Sequence, residues 1–410
     1  MNKAYAIHLD GRREIDCLPE SLLERVQQGQ LVVLQNHLRD LHVHEQLRAL
    51  IFSSIAGICG EDTAERVGKD GIEKIHLYLD ANQLEDTYHL VREELAANMP
   101  AITAEMFRRL GARDPFYVHS ASLIRIMMPY SHMKDRRSLQ QHLGKLVLHP
   151  PHHDHYQNVP TNAVNTWIAM GTVSQENGMF IYPEIWDKNL PRIGDRPGAE
   201  QYLGRPVSIA LQPGDALLFH SHHLHASRLN TTNDSRIVLT NRVCLDKPEF
   251  PNPLKPQKYF ISTAFRREPE LARVFATDGF AGDPRKVLTS GLRRAALNLI
   301  HKLGLKFQSI PEHSPNLKEL SVYSPGALGG QIGEGEIAVV DEQTCATILD
   351  GKVRLFQRHC PHEGADLALG YIECGKVVCP WHGLRFCPVS GSSNCEAIAA
   401  LRTGLRSESG

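Results

Sequence analysis

Apolar residues recur every three or four positions over residues 20–28, 46–58 and 84–98, the spacing of helices that bury one face. Between the first two lies Leu31-Val32-Val33-Leu34, which reads as a short buried strand. Residues 123–128 are strand-like. From 146 to 245 short apolar runs follow one another. Turn signals separate them at Asn177-Gly178, Pro213-Gly214-Asp215 and Asn230-Thr231-Thr232-Asn233. Helices first and a β-rich stretch after them predict a mainly β domain with an N-terminal helical layer, built as a double-stranded β-helix, or jelly-roll. Residues 248–256 break the regularity with prolines. Residues 284–303 read as a basic amphipathic helix whose Arg293, Arg294 and Lys302 form most simply a solvated face, and could alternatively dock an acidic electron donor. Residues 311–330 have the Pro, Ser and Gly content of a linker. The predicted division is therefore a body at 1–275, a helix and linker at 276–330, and a small second domain at 331–410.

Composition narrows the function classes. Lys and Arg number 45 against 46 Asp and Glu, so neither nucleic acid nor an anionic membrane is expected as a partner. No run of eighteen apolar residues and no signal-like N-terminus is present, which predicts a cytoplasmic protein. Nine cysteines in such a chain point to a reducing compartment rather than a disulfide framework. Histidine is frequent and concentrated in bursts that packing alone does not require.

The most specific pattern is Cys360-Pro361-His362 followed by Cys379-Pro380-Trp381-His382. Two such Cys/His pairs form the ligand set of a Rieske [2Fe–2S] centre, in which two thiolates hold one iron and two imidazoles the other. Zinc also takes mixed Cys/His ligands. Iron is favoured by the short Cys-x-His first pair and by Gly364 and Gly383, which let both loops fold tightly. The stretch CPHEGADLALG…VVCPWHGLRF resembles the cluster-binding segment of Rieske ferredoxins and ring-hydroxylating oxygenases, and the likeness runs from about residue 335 onward. It implies a small all-β domain. Relatives in cytochrome complexes link the two loops by a disulfide. Here Ala365 and Trp381 stand at those positions, which implies the ferredoxin-like branch. Cys374, Cys387 and Cys395 lie outside the ligand spacing.

A second metal site is written in two histidine bursts: His149, His152, His153 and His155 around Asp154, then His220, His222, His223 and His225. On a strand, His152 and Asp154 share one face while His153 and His155 share the other. After a strand at 216–219, a turn and a new strand would place His225 and Ser227 on one face. His-x-Asp with one distant His is the facial triad of non-haem Fe(II) oxygenases; the rival pair, His153 with His155, lacks a carboxylate. Arg236 opens the apolar run Ile237-Val238-Leu239. A buried guanidinium needs an anionic partner, and its planar fork suits a carboxylate. Arg125 reads more simply as a surface or salt-bridged arginine than as a ligand contact, and Trp167 as core.

Together PHHDHYQ, TWIAM, ENGMF, PGDALLFHSHHLHASRLN and Arg236 resemble the phytanoyl-CoA dioxygenase family of Fe(II)/2-oxoglutarate oxygenases over about residues 15–250. The resemblance implies His152, Asp154 and His225 as iron ligands, with Arg236 and Ser227 gripping the distal carboxylate of 2-oxoglutarate. Related halogenases leave the carboxylate position vacant, so Asp154 implies hydroxylation or desaturation. The segment Tyr182-Pro183-Glu184-Ile185-Trp186 departs from the family pattern and can line the substrate mouth, so the family's substrate does not carry over.

The expected activity is O2-dependent oxidation of a C–H bond in a small-molecule metabolite. 2-Oxoglutarate already supplies two electrons, so the expected role of the cluster is a separate one, the re-reduction of iron that has fallen to the ferric state. A ferredoxin or NAD(P)H-dependent reductase would feed it. The alternatives are an NAD(P)H-driven Rieske-type oxygenase that dispenses with 2-oxoglutarate, and a non-enzymatic redox sensor. Rieske oxygenases pass electrons between neighbouring subunits, so a homo-oligomer is implied by analogy.

Overall fold

In the computed structural model, residues 4–9, 12–15, 19–133, 148–186, 188–194, 196–268, 270–275, 287–288, 315–320, 322–323, 332–396 and 398–404 are described. Strands β1 (Ala4–Ile7), β2 (Arg13–Ile15) and β3 (Leu31–Leu34) surround helix α1 (Pro19–Gln27). The helical layer follows as α2 (His37–Asp40), α3 (His44–Cys59), α4 (Glu61–Asp70) and α5 (Ala81–Arg109). Helix α4 is not visible in the apolar pattern because only Ala64 and Val67 turn inward, too few to show a period.

A capping box starts α5. Asp80 accepts the N–H groups of Asn82 and Gln83 at 2.9 Å, and the Gln83 side chain accepts that of Asp80 at 2.9 Å. The helix runs well past the predicted end at 98, straight through Pro100. An interior proline costs about 3 kcal/mol. Met99, Ile102, Met106 and Phe107 are fully buried around it, and at roughly 1.5–3 kcal/mol per side chain their burial outweighs that cost.

Next come β4 (Tyr117–His119), β5 (Leu123–Met127), the short helix α6 (Tyr130–Met133), β6 (Ala163–Ala169) and β7 (Met179–Ile181). The small hairpin β8 (Arg192–Ile193) and β9 (Arg196–Pro197) leads to β10 (Val207–Ser208), β11 (Ala216–His220), β12 (His225–Ser227), β13 (Arg236–Cys244), β14 (Tyr259–Ile261) and β15 (Val287–Leu288). The major sheet has the order β15-β14-β4-β13-β6-β11-β3-β1-β2, with β5 also on β13. The minor sheet, β10-β7-β12, closes the double-stranded β-helix.

Period two decides what each face meets. On the major sheet Ala4, Ala6, Val32, Leu34, Leu218, Ile237 and Leu239 join the helical side. Their neighbours Tyr5, Ile7, Leu31, Val33, Leu217, Phe219 and Val238 fill the barrel. Both faces are buried, which is why these strands read as unbroken apolar runs.

The second domain holds β16 (Ile337–Val339), β17 (Thr344–Leu349) and β18 (Lys352–Gln357) in one sheet. A second sheet holds β19 (Tyr371–Glu373), β20 (Lys376–Val378) and β21 (Arg385–Phe386). Its tail folds back: Leu401 N–H donates to Gly391 O, and Gln357 N–H to Arg402 O, each at 2.9 Å. Within the helix expected at 284–303, Val287–Leu288 instead pairs with β14 as a strand. The remainder, with Arg293, Arg294 and Lys302, lies outside the described residues, as does most of 311–330. Among the described residues no helix is long and apolar enough to cross a membrane. Asp80→Ala should lower stability in urea denaturation by about 1 kcal/mol, the worth of one N-cap.

Candidate metal centres

The first centre sits where the barrel interior meets β12. His152 and His225 form an antiparallel bridge: the amide of each donates to the carbonyl of the other, at 2.9 and 3.1 Å. Their rings lie 4.3 Å apart. Beyond this bridge the chain is no strand. It turns into a short 3-10 helix, Asp154–Gln157, that swings the Asp154 carboxylate in beside the rings. One ligand atom from each of His152, Asp154 and His225 lies within 4.8 Å of the other two, and all three residues are buried. The expected strand at 152–155 is thus corrected to a bridge plus a turn, while the expected triad comes together.

Tautomers are set by backbone. Nδ1–H of His152 donates to Pro150 O at 2.8 Å, and Nδ1–H of His225 to His223 O at 3.0 Å. Both Nε2 lone pairs are left for a ligand, the arrangement metal-binding histidines need. Asp154 is held by two groups that the sequence pattern alone does not single out. Asn165 Nδ2 donates to one carboxylate oxygen at 2.6 Å and Arg242 to the other at 3.0 Å. Burial would raise its pKa, yet Arg242 foremost, helped by His225 and Asn165, pulls it down to about 2. Asn165 and Arg242 face each other across β6 and β13 and are themselves bonded at 3.0 Å. One signal does point to them: Arg242 has the same parity as Arg236 on one strand.

His153 and His155, the rival pair, stack on each other at 4.8 Å and turn elsewhere. His153 bonds His222 O at 3.0 Å and His155 bonds Asn189 at 2.6 Å.

Beside the triad lies a cavity lined by Arg125, His149, Trp167, Ser227, Thr240 and Arg236. Arg236 is 2% exposed and stacks 5.2 Å over the Trp167 ring. Its guanidinium donates to the carbonyls of Asn177, at 3.0 Å, and Gly178. Its Nε is buried without a partner, and among the described residues no carboxylate pairs with it. Burial, with Arg125 adding repulsion, pushes its pKa down to about 9. Arg125 lines the cavity rather than the surface. Its register partner Val238 points inward, so Arg125 does too. Trp167 is core, as expected, and also cavity wall.

The second centre is a pair of loops with one hydrogen-bond pattern. Cys360 N–H donates to Ala365 O at 2.9 Å and Gly364 N–H to Cys360 O at 2.9 Å. Cys379 N–H donates to Leu384 O at 2.8 Å and Gly383 N–H to Cys379 O at 3.1 Å. Both glycines have positive φ, +78° and +69°, which only glycine adopts readily. The loops bring like to like: the Cys360 and Cys379 thiols are hydrogen-bonded to each other, and the His362 and His382 rings lie 5.0 Å apart. Two thiols on one side and two imidazoles on the other suit two irons of one cluster. Nδ1 of His362 and Nε2 of His382 are buried without a partner, as groups awaiting a ligand would be. No disulfide is found among the described cysteines.

Residues 182–186 are not among those lining the cavity beside the triad. The Tyr182 hydroxyl donates to the carbonyls of Pro380, at 2.7 Å, and Trp381, at 3.1 Å, in the second cluster loop. Trp186 packs 4.8 Å from the His223 ring.

Arg242→Met should destabilise the metal-free protein by about 3–5 kcal/mol, since it strands a buried carboxylate. The double variant Asp154→Asn/Arg242→Met should recover most of that in the same urea titration. Equal losses in both would mean the ion pair is not what Arg242 provides.

Comparison with known proteins finds one family model over each part of the chain. Residues 109–238 match the family model of phytanoyl-CoA dioxygenase (PhyH), and residues 316–404 that of the Rieske [2Fe-2S] domain. Over 57 residues the chain is 35% identical to the vanillate O-demethylase oxygenase subunit of Pseudomonas sp. (strain HR199 / DSM 7063). That match spans 14% of this chain and 14% of the length of that relative. Among solved structures, a Sphingomonas yanoikuyae B1 ferredoxin is 25% identical over 18% of this chain and 78% of its own, with a TM-score of 0.17. The alpha ketoglutarate dependent carbocyclase SnoK from nogalamycin biosynthesis is 15% identical over 65% of this chain and 93% of its own, with a TM-score of 0.32. The epimerase SnoN, solved with Fe3+, alpha ketoglutarate and nogalamycin RO, is 17% identical over 55% and 83%, also at 0.32. By the two family models, one chain carries a phytanoyl-CoA dioxygenase-like segment at residues 109–238 and, after it, a Rieske [2Fe-2S] domain at residues 316–404.

Proposed function

We propose that this chain is an Fe(II)/2-oxoglutarate-dependent dioxygenase that hydroxylates or desaturates a C–H bond of a small-molecule metabolite. The observation that carries the reading is Arg236: a buried guanidinium, without a carboxylate partner among the described residues, in the cavity beside the triad. Such a charge is costly unless an anion meets it, and a bidentate carboxylate is the partner its fork fits best. Ser227 lines the same wall and can donate its hydroxyl to that carboxylate. Arg125 adds positive charge to the cavity.

In this reading His152, Asp154 and His225 hold Fe(II), and Cys360, His362, Cys379 and His382 hold the cluster. Fe(II) there would couple oxidative decarboxylation of 2-oxoglutarate by O2, to succinate and CO2, with oxidation of the substrate. The cluster would supply single electrons, drawn from a ferredoxin or NAD(P)H-dependent reductase, that return oxidised iron to Fe(II). The chain's own part is positional. Pro150 O and His223 O fix the two imidazole tautomers, Asn165 and Arg242 keep Asp154 ionised and aimed, and the apolar barrel keeps water away. The division into a body at 1–275, a connector at 276–330 and a Rieske domain at 331–410 belongs to the same reading.

Three measurements test it. Arg236→Leu should weaken 2-oxoglutarate binding by about 10–100-fold, the worth of a charged hydrogen-bond pair, in equilibrium titration. His152→Ala should end succinate formation while the EPR signal of the reduced cluster persists. Cys360→Ala should do the reverse, abolishing the signal, sparing the first turnover and shortening sustained turnover. Product formed without 2-oxoglutarate, from NADH and a reductase alone, would overturn the proposal.

A further inference from the structure

The minor sheet has two working faces. Inward, Met179 and Ile181 of β7 pack in the barrel beside the cavity that His225 and Ser227 line. Outward, Phe180, Tyr182 and Ala226 share one apolar cluster with Cys360, Cys379, Trp381 and Leu384 of the Rieske domain. A side chain on Gly383 would strike the Phe180 ring, so the second cluster loop lies directly on β7. The Tyr182 hydroxyl clamps that loop through two carbonyls. Leu229 N–H donates to His382 O at 3.1 Å, and Leu229 is four residues beyond His225 along the same backbone. The Tyr130 ring meets His362 edge-on at 5.6 Å. At this contact His382 is 1% exposed.

We propose that the Rieske domain's redox partner is the oxygenase body of its own chain. Tyr182 is the positioning residue of this junction, and the route runs from His382 through Leu229 along β12 to His225. This inference rests on the metal assignments of the proposed function. One electron leaves the reduced cluster, which becomes oxidised, and converts one Fe(III) to Fe(II); no atom moves. Neighbouring subunits are not required.

The test uses the full chain, cluster intact and loaded with Fe(III), given half a molar equivalent of dithionite, one electron per chain, without O2. Freeze-quench EPR follows the reduced-cluster signal as it decays with loss of the ferric signal. The decay should be first order and unchanged by tenfold dilution. It should be absent in an equal mixture of Cys360→Ala and His152→Ala chains. Tyr182→Phe should keep both metal signals and the first 2-oxoglutarate turnover. It should slow the decay about tenfold, because two buried carbonyls lose their donor. It should also speed hydrogen exchange at the Leu229 amide, which a route independent of docking would not move. Arg196→Ala, at the exposed rim over Trp381, gives a smaller change of the same sign should Tyr182→Phe fold poorly. Transfer at the wild-type rate in the mixture, or an unchanged decay in Tyr182→Phe, overturns the inference. Absence of succinate with electron transfer intact would instead overturn the 2-oxoglutarate reading alone.

Discussion

The two candidate centres meet at the pairing of β7 with β12. Three register pairs define it: His225 with Ile181, Ala226 with Phe180 and Ser227 with Met179. Side chains alternate across a strand, so a slip of one residue would send His225 and Ser227 outward and Ala226 into the cavity. Both faces of this ribbon are occupied, one by the barrel and one by the cluster loops, so the register is held from two sides. His152 then attaches to the free edge of β12 through its bridge with His225, and Asp154 follows two residues later. A metal site and a docking surface are thereby produced by the same three pairs.

The electrostatics of the cavity are one-sided. Arg125, Arg236 and Arg242 surround it, against the single carboxylate of Asp154, and Arg242 is already committed to that carboxylate. Burial drives the pKa of Arg236 to about 9 and that of Arg125 to about 10, a sign that the protein alone solvates these charges poorly. The desolvation cost is thus met during folding, and a bound anion would recover it. The same one-sidedness keeps Asp154 ionised, the state in which a carboxylate can bind a metal.

Both metal centres are legible in the sequence because their chemistry is local. Cys360-Pro361-His362 and Cys379-Pro380-Trp381-His382 carry ligands and turn glycines within single loops, and His152-His153-Asp154 carries two of the three triad residues within one turn. The jelly-roll is legible from its apolar runs. Less visible are partners brought in from distant strands. Asn165 and Arg242 meet Asp154 only because β6 and β13 are in register, which no local spacing announces. Arg125 reads as a surface residue because its own strand gives no hint that the facing position, Val238, looks into the barrel. Tyr182 is hidden for the same reason: its partner carbonyls lie far away along the chain, in the second domain.

The interface between the domains has an apolar centre and a charged rim, and the two contribute unequally. Arg196 with Glu363, Arg205 with Glu373 and Arg385 with Glu176 are ion pairs at 3.0–3.4 Å with much of their length in solvent. Such pairs contribute about 0–1 kcal/mol each, less with salt, so they orient the contact more than they hold it. Strength comes from Phe180, Trp381 and the Tyr182 bonds, where desolvation is complete. A tether in the same chain adds an effective local concentration of order millimolar, which spares the contact most of the entropy of association. A modest apolar patch therefore suffices to keep the cluster seated, where a separate ferredoxin would need a full-sized interface.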